Sequence, residues 1–163
     1  TLKNALIRDY GCAEGDGTAM LTIHFPGCHI VGHDWSEAAI ANATKRWPTI
    51  AFEVGDIRQP KVADIIWASH VIEHMQDPAA VVENLLKYCI FLVIIVPPIY
   101  PNVQHGNHIG ATITEDWLPN ISMLPRYATQ YNTCRWHVEE GFPFLEGNIV
   151  RVYKGLLNAN PVL

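Results

Sequence analysis

Polar residues and glycines follow the first two apolar runs of the sequence, at positions where they could bind a cofactor. Asp9 ends the first run and precedes a glycine-rich loop with glycines at 11, 15 and 17. This GxxxGxG spacing permits a tight turn and close approach of a ligand, and it differs from the GxGxxG and GxxxxGK[ST] phosphate-binding patterns. Asp34 ends the second run, 19 residues after Gly15, where a carboxylate can accept both hydroxyls of a ribose. Together these features predict a site for a cofactor that carries a nucleoside.

Histidines form a second group of candidate residues. The chain has eight histidines, and four of them follow the fourth and fifth apolar runs, at His70, His74, His105 and His108. Histidine titrates near neutral pH, so it can take the proton that a hydroxyl acceptor loses in a reaction. We therefore predict His70, His74 and His108 as catalytic residues. The pattern His70-x-x-Glu73-His74 with a later histidine is also a chemically reasonable set of metal ligands.

The order of the elements that position these residues predicts the fold. Five short, almost continuously apolar strands are predicted at residues 5–9, 29–34, 50–54, 64–68 and 91–96. Helices are predicted at residues 18–25, 36–47 and 77–86, with a helical turn at 114–118 and two further strands at 133–138 and 148–153. Apolar strands alternating with helices are typical of a parallel sheet covered on both faces. The sequence therefore predicts an α/β fold, a Rossmann-like, doubly wound, mostly parallel seven-stranded sheet with a C-terminal antiparallel hairpin and helices on both faces.

Four segments resemble the motifs of class I S-adenosylmethionine-dependent methyltransferases, in the family's order and at similar spacing. They are Asp9–Gly17 for the first motif, Val31–Ser36 for the second, Val54–Ile57 for the third, and Ala68–Pro78, which is similar to the segment after the fourth strand in the small-molecule branch. The resemblance covers about residues 4–118 and implies S-adenosylmethionine as the cofactor. The chain departs from the family at Ala13, which replaces a usual glycine, and at Arg8, an uncommon charge beside a buried strand end.

The resemblance also implies roles for residues of the first two motifs. The loop from Gly11 to Gly15 would lie against the methionine half of the cofactor, and Asp9 would face its ammonium group. Asp34 would hold the ribose, and Trp35 would pack near the adenine.

The third motif and the segment after the fourth strand complete the implied site. Asp56 would accept a hydrogen bond from the adenine amino group, while Ile57 would cover the ring. The string from Ser69 to His74 resembles one that is common in metal-free members of the family, so we predict no metal site. The full set of predicted cofactor-binding residues is Asp9, Gly11, Cys12, Ala13, Glu14, Gly15, Asp34, Trp35, Asp56, Ile57, Ser69 and His70.

The function implied by the resemblance is that of an enzyme, which moves a methyl group to oxygen of a small-molecule, sugar or lipid-like acceptor. Because the methyl donor is already activated, the protein would mainly supply proximity and orientation for an in-line displacement, with a histidine base assisting. The main alternative is a non-catalytic or degenerate methyltransferase-like scaffold domain. A metal-dependent RNA 2′-O-methyltransferase and an NAD(P)-binding oxidoreductase are less favoured alternatives.

Composition limits the partners and the location that we expect. Eleven Lys and Arg residues against sixteen Asp and Glu residues give a net charge of −5, which argues against a nucleic-acid partner. No stretch reaches the roughly 18 apolar residues of a membrane span, and four widely spread cysteines are typical of reduced thiols in a cytoplasmic protein. We expect a small-molecule acceptor substrate. The length fits a single methyltransferase domain, residues 1–163, with a cofactor-binding half at about 1–98 and an acceptor-binding part at about 99–163.

Overall fold

The strands and helices of the protein follow the predicted order. The computed structural model describes residues 3–96, 126–131 and 148–157. The strands within these residues are β1 (Leu6–Tyr10), β2 (His29–Asp34), β3 (Ala51–Val54), β4 (Ala63–Ser69), β5 (Cys89–Val96), β6 (Arg126–Tyr131) and β7 (Asn148–Lys154). The helices are α1 (Asp16–His24), α2 (Glu37–Arg46) and α3 (Pro78–Leu85), with short 3₁₀ helices at Ile72–His74 and Leu86–Tyr88.

The described strands form one mixed sheet in the order β3-β2-β1-β4-β5-β7-β6. Strand β1 pairs in parallel with both β2 and β4, so the strand order reverses at this point. The pairs β2–β3 and β4–β5 are also parallel, whereas β7 is antiparallel to β5 and to β6. This doubly wound α/β architecture confirms the predicted fold class. It places the expected ligand site outside the carboxyl ends of the strands, next to the reversal.

The C-terminal hairpin is present, but its first strand differs from the prediction. Strand β7 agrees with the predicted strand at 148–153, and its hairpin partner is β6 at Arg126–Tyr131. The segment that we predicted as the partner, residues 133–138, lies outside the described residues, as does the predicted helical turn at 114–118. Both neighbouring segments mix β-branched and aromatic residues with polar ones, so periodicity alone does not choose between them.

Helices cover both faces of the sheet, because alternate residues of the central strands pack against different helices. On one face, Ile66 of β4 and Leu92 of β5 belong to a buried cluster with Val82 of α3. On the other face, Ile65 of β4 and Val93 of β5 belong to a cluster with Leu21 of α1. Burial of each such side chain stabilises the fold by roughly 1.5–3 kcal/mol. The two clusters together hold the strand ends that carry the candidate residues.

Two predicted helix caps are confirmed. The Ser36 side chain accepts a hydrogen bond from the backbone N–H of Ala39 at the start of α2, and the Asp77 side chain accepts from Ala80 at the start of α3. Pro78 occupies the first turn of α3, where its missing N–H has no helical partner to lose. In the described part of the chain, every helix is too short or too polar to cross a bilayer.

Candidate functional site

The glycine-rich loop between β1 and α1 is held in a compact turn by its own backbone and by β2. Gly11 and Gly15 have φ values of 79° and 86°, and Ala13 has a φ of 47°. The N–H groups of Gly11 and Cys12 both donate to the carbonyl of His33, at 2.8 and 3.0 Å. Gly15 is the N-cap residue of α1 and offers no side-chain cap. The first N–H groups of α1 therefore lie at the end of this loop.

Asp34 connects the three loops that the sequence assigned to cofactor binding. Its carboxylate accepts the backbone N–H of Ala13 on Oδ2 at 3.0 Å and that of Ser36 on Oδ1 at 2.9 Å. Its own carbonyl accepts the N–H of Gly55, at 2.9 Å, from the loop after β3. The residue is only 8% exposed. Because an ionised carboxylate has about four acceptor positions, Asp34 keeps acceptor capacity for a ligand after forming both contacts.

Asp9 is a buried carboxylate at the end of β1, beside the glycine loop. It is 4% exposed, and its Oδ2 accepts a hydrogen bond from the Thr18 hydroxyl at 2.7 Å. Burial raises the pKa of Asp9 from 3.8 to about 6; the Thr18 hydrogen bond opposes this shift, and the nearby charge of Asp34 adds to it. An ionised group held in this way is favourable only if a cation compensates it. The site is therefore suited to a positively charged ligand group.

The loop after β3 carries the two residues predicted to contact adenine, and they differ in availability. The Asp56 carboxylate accepts hydrogen bonds from the side chain and the backbone N–H of Arg58. The hydrogen bonds from the Arg58 side chain are the main reason that the pKa of Asp56 lies below its usual value. Ile57 is 6% exposed and packs in the cluster that contains Tyr10. Little of the Ile57 surface is therefore left for a ligand.

Two further predicted residues lie on the open side of the site. The Trp35 side chain follows Asp34 and is 80% exposed, so its ring faces solvent and is accessible to a flat ligand. Glu14 is exposed, and its Oε1 accepts a hydrogen bond from the Asn42 side chain of α2 at 3.0 Å. Cys12 belongs to the glycine loop and is 6% exposed, and this burial raises the pKa of its thiol to about 12. The Cys12 thiol is thus neutral at physiological pH.

The end of β4 carries the described members of the predicted catalytic set. His70 has a left-handed backbone with φ 55°, and its N–H donates to the carbonyl of Ile95 at 2.8 Å. Its side chain is half-exposed, and its Nδ1 lies 3.6 Å from Oε1 of Glu73. The Glu73 side chain is buried, which raises its pKa. His74 is exposed on the 3₁₀ helix that follows.

No group of three or more metal-ligating side chains that could hold an ion occurs in residues 3–96 or in the described C-terminal strands. The prediction of His108 as a catalytic residue falls outside the described residues, as does His105.

A cavity of about 550 Å³ opens between α1 and the sheet, next to the glycine loop. Asp9, Gly11 and Ser69 line it near the carboxyl ends of β1 and β4. Farther along the sheet it is lined by Trp67 and Phe25, whose ring centroids are 6.4 Å apart in an edge-to-face arrangement. The cavity therefore joins predicted cofactor residues to an apolar surface.

The charge of Arg8, which the sequence left unexplained, has partners on the opposite face of β1. Its Nη1 lies 2.8 Å from Nε2 of His33, and its Nε donates to the carbonyl of Val62 at 3.1 Å. His33 is fully buried and stacks on Tyr10 with centroids 4.8 Å apart. Burial, then the Arg8 charge, lower the pKa of His33 to about 4, so its Nε2 is a neutral acceptor for Arg8. This network supports the strand whose carbonyl holds the glycine loop.

Sequence reasoning missed two residues of the site. Thr18 donates to Asp9 from the first turn of α1, and Arg58 covers the carboxylate of Asp56. A hydroxyl in the first turn after a glycine loop has no distinctive spacing that would identify it. The Asp-x-Arg pattern at positions 56–58 was a usable signal, since residues two apart in a turn can meet through side chains.

Comparisons with known proteins relate the chain to methyltransferases. A sequence profile described as a methyltransferase domain matches residues 9–89. The chain is 34% identical over 85 residues to a trans-aconitate 2-methyltransferase of Variovorax paradoxus, a match that covers 50% of this chain and 33% of that protein. The chain thus spans about a third of the length of the curated relatives matched first.

Solved structures show the same fold. The plantazolicin methyltransferase BpumL, solved with a monoazolic desmethylPZN analogue and SAH, is 26% identical and superposes with a TM-score of 0.51 over 57% of this chain and 39% of that chain. A chain from the complex between the Haloferax volcanii Trm112 methyltransferase activator and a methyltransferase is 17% identical. It superposes with a TM-score of 0.70 over 94% of this chain and 83% of that chain.

Proposed function

Because the chain belongs to the class I S-adenosylmethionine-dependent methyltransferases, we propose that it transfers a methyl group from S-adenosylmethionine to oxygen of a small-molecule acceptor. The observation that carries this proposal is the position of Asp34. Its carboxylate and carbonyl tie the loops after β1, β2 and β3 together through the N–H groups of Ala13, Ser36 and Gly55. These hydrogen bonds within the protein would hold the three loops in place, which lowers the conformational cost of binding a cofactor.

The donor set of the site fits the chemical groups of this cofactor. The buried carboxylate of Asp9 would face the ammonium group, which would relieve the cost of keeping that carboxylate ionised. Asp34 would accept hydrogen bonds from the ribose hydroxyls with its remaining lone pairs. The exposed Trp35 ring would pack against the adenine. Gly11, Cys12, Ala13, Glu14, Gly15, Asp56, Ile57, Ser69 and His70 remain part of the proposed cofactor contact.

The catalytic contribution of the protein would be positioning and proton removal. S-adenosylmethionine supplies a methyl group that is already activated by its sulfonium. The carboxyl ends of the strands and the glycine loop would orient the reacting groups and exclude water. His70 would accept the proton of a hydroxyl acceptor, because its half-exposed imidazole follows the carboxyl end of β4. His74 and His108 remain proposed as alternative bases.

The acceptor class is proposed from the relatives and from charge. A relative named as a trans-aconitate methyltransferase favours a small acceptor, and the net charge of −5 does not favour a nucleic acid. The proposal includes a single domain over residues 1–163 with the acceptor bound by its C-terminal part, and a cytoplasmic location. The buried thiols of Cys12 and Cys89 form no disulfide within the described part of the chain, which supports a reducing compartment.

The cofactor is tested by thermal unfolding with S-adenosylmethionine, S-adenosylhomocysteine, NAD and NADP. A ligand at about 100 times its Kd stabilises the native state by about 2.7 kcal/mol, which raises Tm by roughly 5–10 °C for a domain of this length. We expect a shift with the two sulfur nucleosides alone. A shift with NAD or NADP alone would contradict the proposal in favour of an oxidoreductase.

A matched pair of exposed apolar residues makes this test specific to the adenine. Trp35→Ala removes a ring that is 80% exposed, and Ile23→Ala removes a side chain on α1 that is 68% exposed. We expect Trp35→Ala to weaken S-adenosylhomocysteine binding roughly two- to tenfold through lost stacking, while Ile23→Ala leaves it unchanged. Equal effects of the two substitutions would exclude the proposed position of the adenine.

Methyl transfer itself is tested with labelled S-adenosylmethionine and a panel of hydroxyl and carboxylate acceptors that includes trans-aconitate. We expect product with at least one small acceptor. A carboxylate has no proton to lose at neutral pH, so His70→Gln is expected to slow transfer to hydroxyl acceptors more than to carboxylates. Cofactor binding without transfer to any of these acceptors would favour the non-catalytic scaffold instead.

A further inference from the structure

Both oxygens of the carboxylate proposed to bind the adenine amino group already accept hydrogen bonds from one neighbouring residue. Oδ1 of Asp56 accepts the backbone N–H of Arg58 at 2.8 Å and its Nε at 2.9 Å. Oδ2 accepts the same Nε at 3.0 Å and Nη2 at 2.5 Å. A carboxylate has about four acceptor positions. Three N–H groups of Arg58 make these four contacts, and two of the three belong to the guanidinium. The guanidinium therefore occupies acceptor positions on both oxygens of Asp56.

Only part of this arrangement can move out of the way. The backbone at Arg58 is fixed, because its carbonyl accepts a hydrogen bond from the Asn84 side chain of α3 at 3.1 Å. The backbone of Gln59 also donates to the carbonyl of Asp56, at 2.9 Å. The Arg58 guanidinium is different, since its side chain is 71% exposed and the Asp56 side chain is 30% exposed. The guanidinium can therefore leave into solvent at low cost, while the loop keeps its shape.

We propose that Arg58 competes with the adenine amino group for the Asp56 carboxylate, and that it thereby sets the affinity and the base selectivity of the cofactor site. This inference rests on the proposed function, which places the adenine beside Asp56. When the cofactor binds, the amino group takes the acceptor positions that the guanidinium releases. The free energy of the ion pair is lost in that exchange, so cofactor binding is weaker than it would be without Arg58.

The competition predicts an unusual result, in which loss of a positive side chain tightens binding. Arg58→Gln is expected to lower the Kd for S-adenosylhomocysteine about two- to fivefold, the range expected for one exposed ion pair. The ratio of the wild-type Kd to the Arg58→Gln Kd is expected to be largest at about 50 mM salt and to shrink at about 500 mM, because salt screens exposed charges. S-inosylhomocysteine has a carbonyl oxygen in place of the amino group and gives Asp56 no donor from that position. Its Kd is not expected to fall in the variant.

The control is Arg46→Gln, which removes the same charge from a similar surface ion pair. Arg46 of α2 binds Asp16 through two nitrogens, each 2.9 Å from a carboxylate oxygen. We would measure both ligands by titration calorimetry on wild type, Arg58→Gln and Arg46→Gln. Tighter binding of the adenine ligand in Arg58→Gln alone supports the inference.

Three results would overturn the inference. They are an unchanged or weaker affinity for S-adenosylhomocysteine in Arg58→Gln, an equal gain for the inosine ligand, or an equal gain in Arg46→Gln. If wild type binds S-adenosylhomocysteine and Arg58→Gln binds it no more tightly, this inference alone is rejected. Absence of binding in all three proteins rejects the proposed function, and this inference with it.

Discussion

The buried carboxylate of Asp9 predicts that one substitution will stabilise the protein and weaken its cofactor site at the same time. Asp9 is 4% exposed, and its pKa is raised from 3.8 to about 6. A shift of about two units corresponds to roughly 3 kcal/mol, at 1.36 kcal/mol per unit, which the folded state loses when Asp9 ionises. Asn has the same shape without the charge and can still pair with the Thr18 hydroxyl. We therefore expect Asp9→Asn to raise the free energy of unfolding by about 1–3 kcal/mol at pH 7.5.

The sign of the pH dependence follows from the raised pKa. Between pH 4 and 6, Asp9 binds more protons in the folded protein than in the unfolded chain, so this group makes the wild type less stable as pH rises through that window. The advantage of Asp9→Asn should thus be largest at pH 7.5 and shrink towards pH 4.5. Urea unfolding of both proteins at the two pH values measures it. A variant that is less stable at pH 7.5, or a difference that is equal at both values, would refute the reasoning.

Asp9→Asn should weaken cofactor binding, although it stabilises the folded protein. An ammonium group beside Asp9 compensates its charge, so S-adenosylhomocysteine should bind wild type more tightly above pH 6 than below it. Asp9→Asn should bind more weakly at pH 7.5 and lose this pH dependence. Thr18→Val keeps the Asp9 carboxylate but removes the hydrogen bond that lowers its pKa. The midpoint of the pH dependence of cofactor binding should therefore move to higher pH. Calorimetric titrations at several pH values distinguish these cases. Asp9 would be a purely structural residue if the variant bound with wild-type affinity.

Two backbone predictions concern the glycine loop. Gly15→Ala should lower the free energy of unfolding by about 2–4 kcal/mol, because the position has φ 86° and an added Cβ would lie 2.6 Å from the Phe52 ring. Gly27→Ala is the control, because its φ is 89° but no atom lies within 4 Å of an added Cβ. Only the backbone cost of about 1–2 kcal/mol should therefore remain. Equal losses of stability for the two variants in urea unfolding would reject the steric argument. Ala13→Gly should raise the free energy of unfolding by about 0.5–1 kcal/mol, since Ala13 has φ 47°; a loss of stability would show that the loop is not strained there.

The central part of the fold was predictable because its local signals agree with one another. Ser36 and Asp77 each precede a helix and cap it as their residue types favour, and apolar runs of strand length stand between the helices. The position of β6 was not predictable in the same way. It pairs with β7, a strand distant in sequence, and its own pattern is no stronger than that of residues 133–138. Long-range pairing rather than local propensity decides such a strand.

The candidate site was predictable in position more than in detail. The carboxyl ends of parallel strands meet at one edge, so Asp9, Asp34 and Asp56 had to lie in neighbouring loops. The protonation and the hydrogen bonding of these carboxylates depend on contacts with residues outside the sequence motifs. Thr18 and burial determine the pKa of Asp9, and the Arg58 side chain determines which lone pairs of Asp56 are free. Such contacts depend on packing and rotamers, which spacing along the chain does not specify.

The measurement that tests the account most directly is calorimetric titration of S-adenosylhomocysteine into wild type, Asp34→Asn and Ser36→Ala. Asp34→Asn replaces the carboxylate that ties the three loops and is proposed to hold the ribose, so we expect affinity to fall by at least about tenfold. Ser36→Ala removes only the side-chain cap of α2 and should cost about 1 kcal/mol of stability without changing affinity. We expect one binding site in wild type and its selective loss in Asp34→Asn. Absence of binding in wild type, or equal affinities in the two variants, would contradict it.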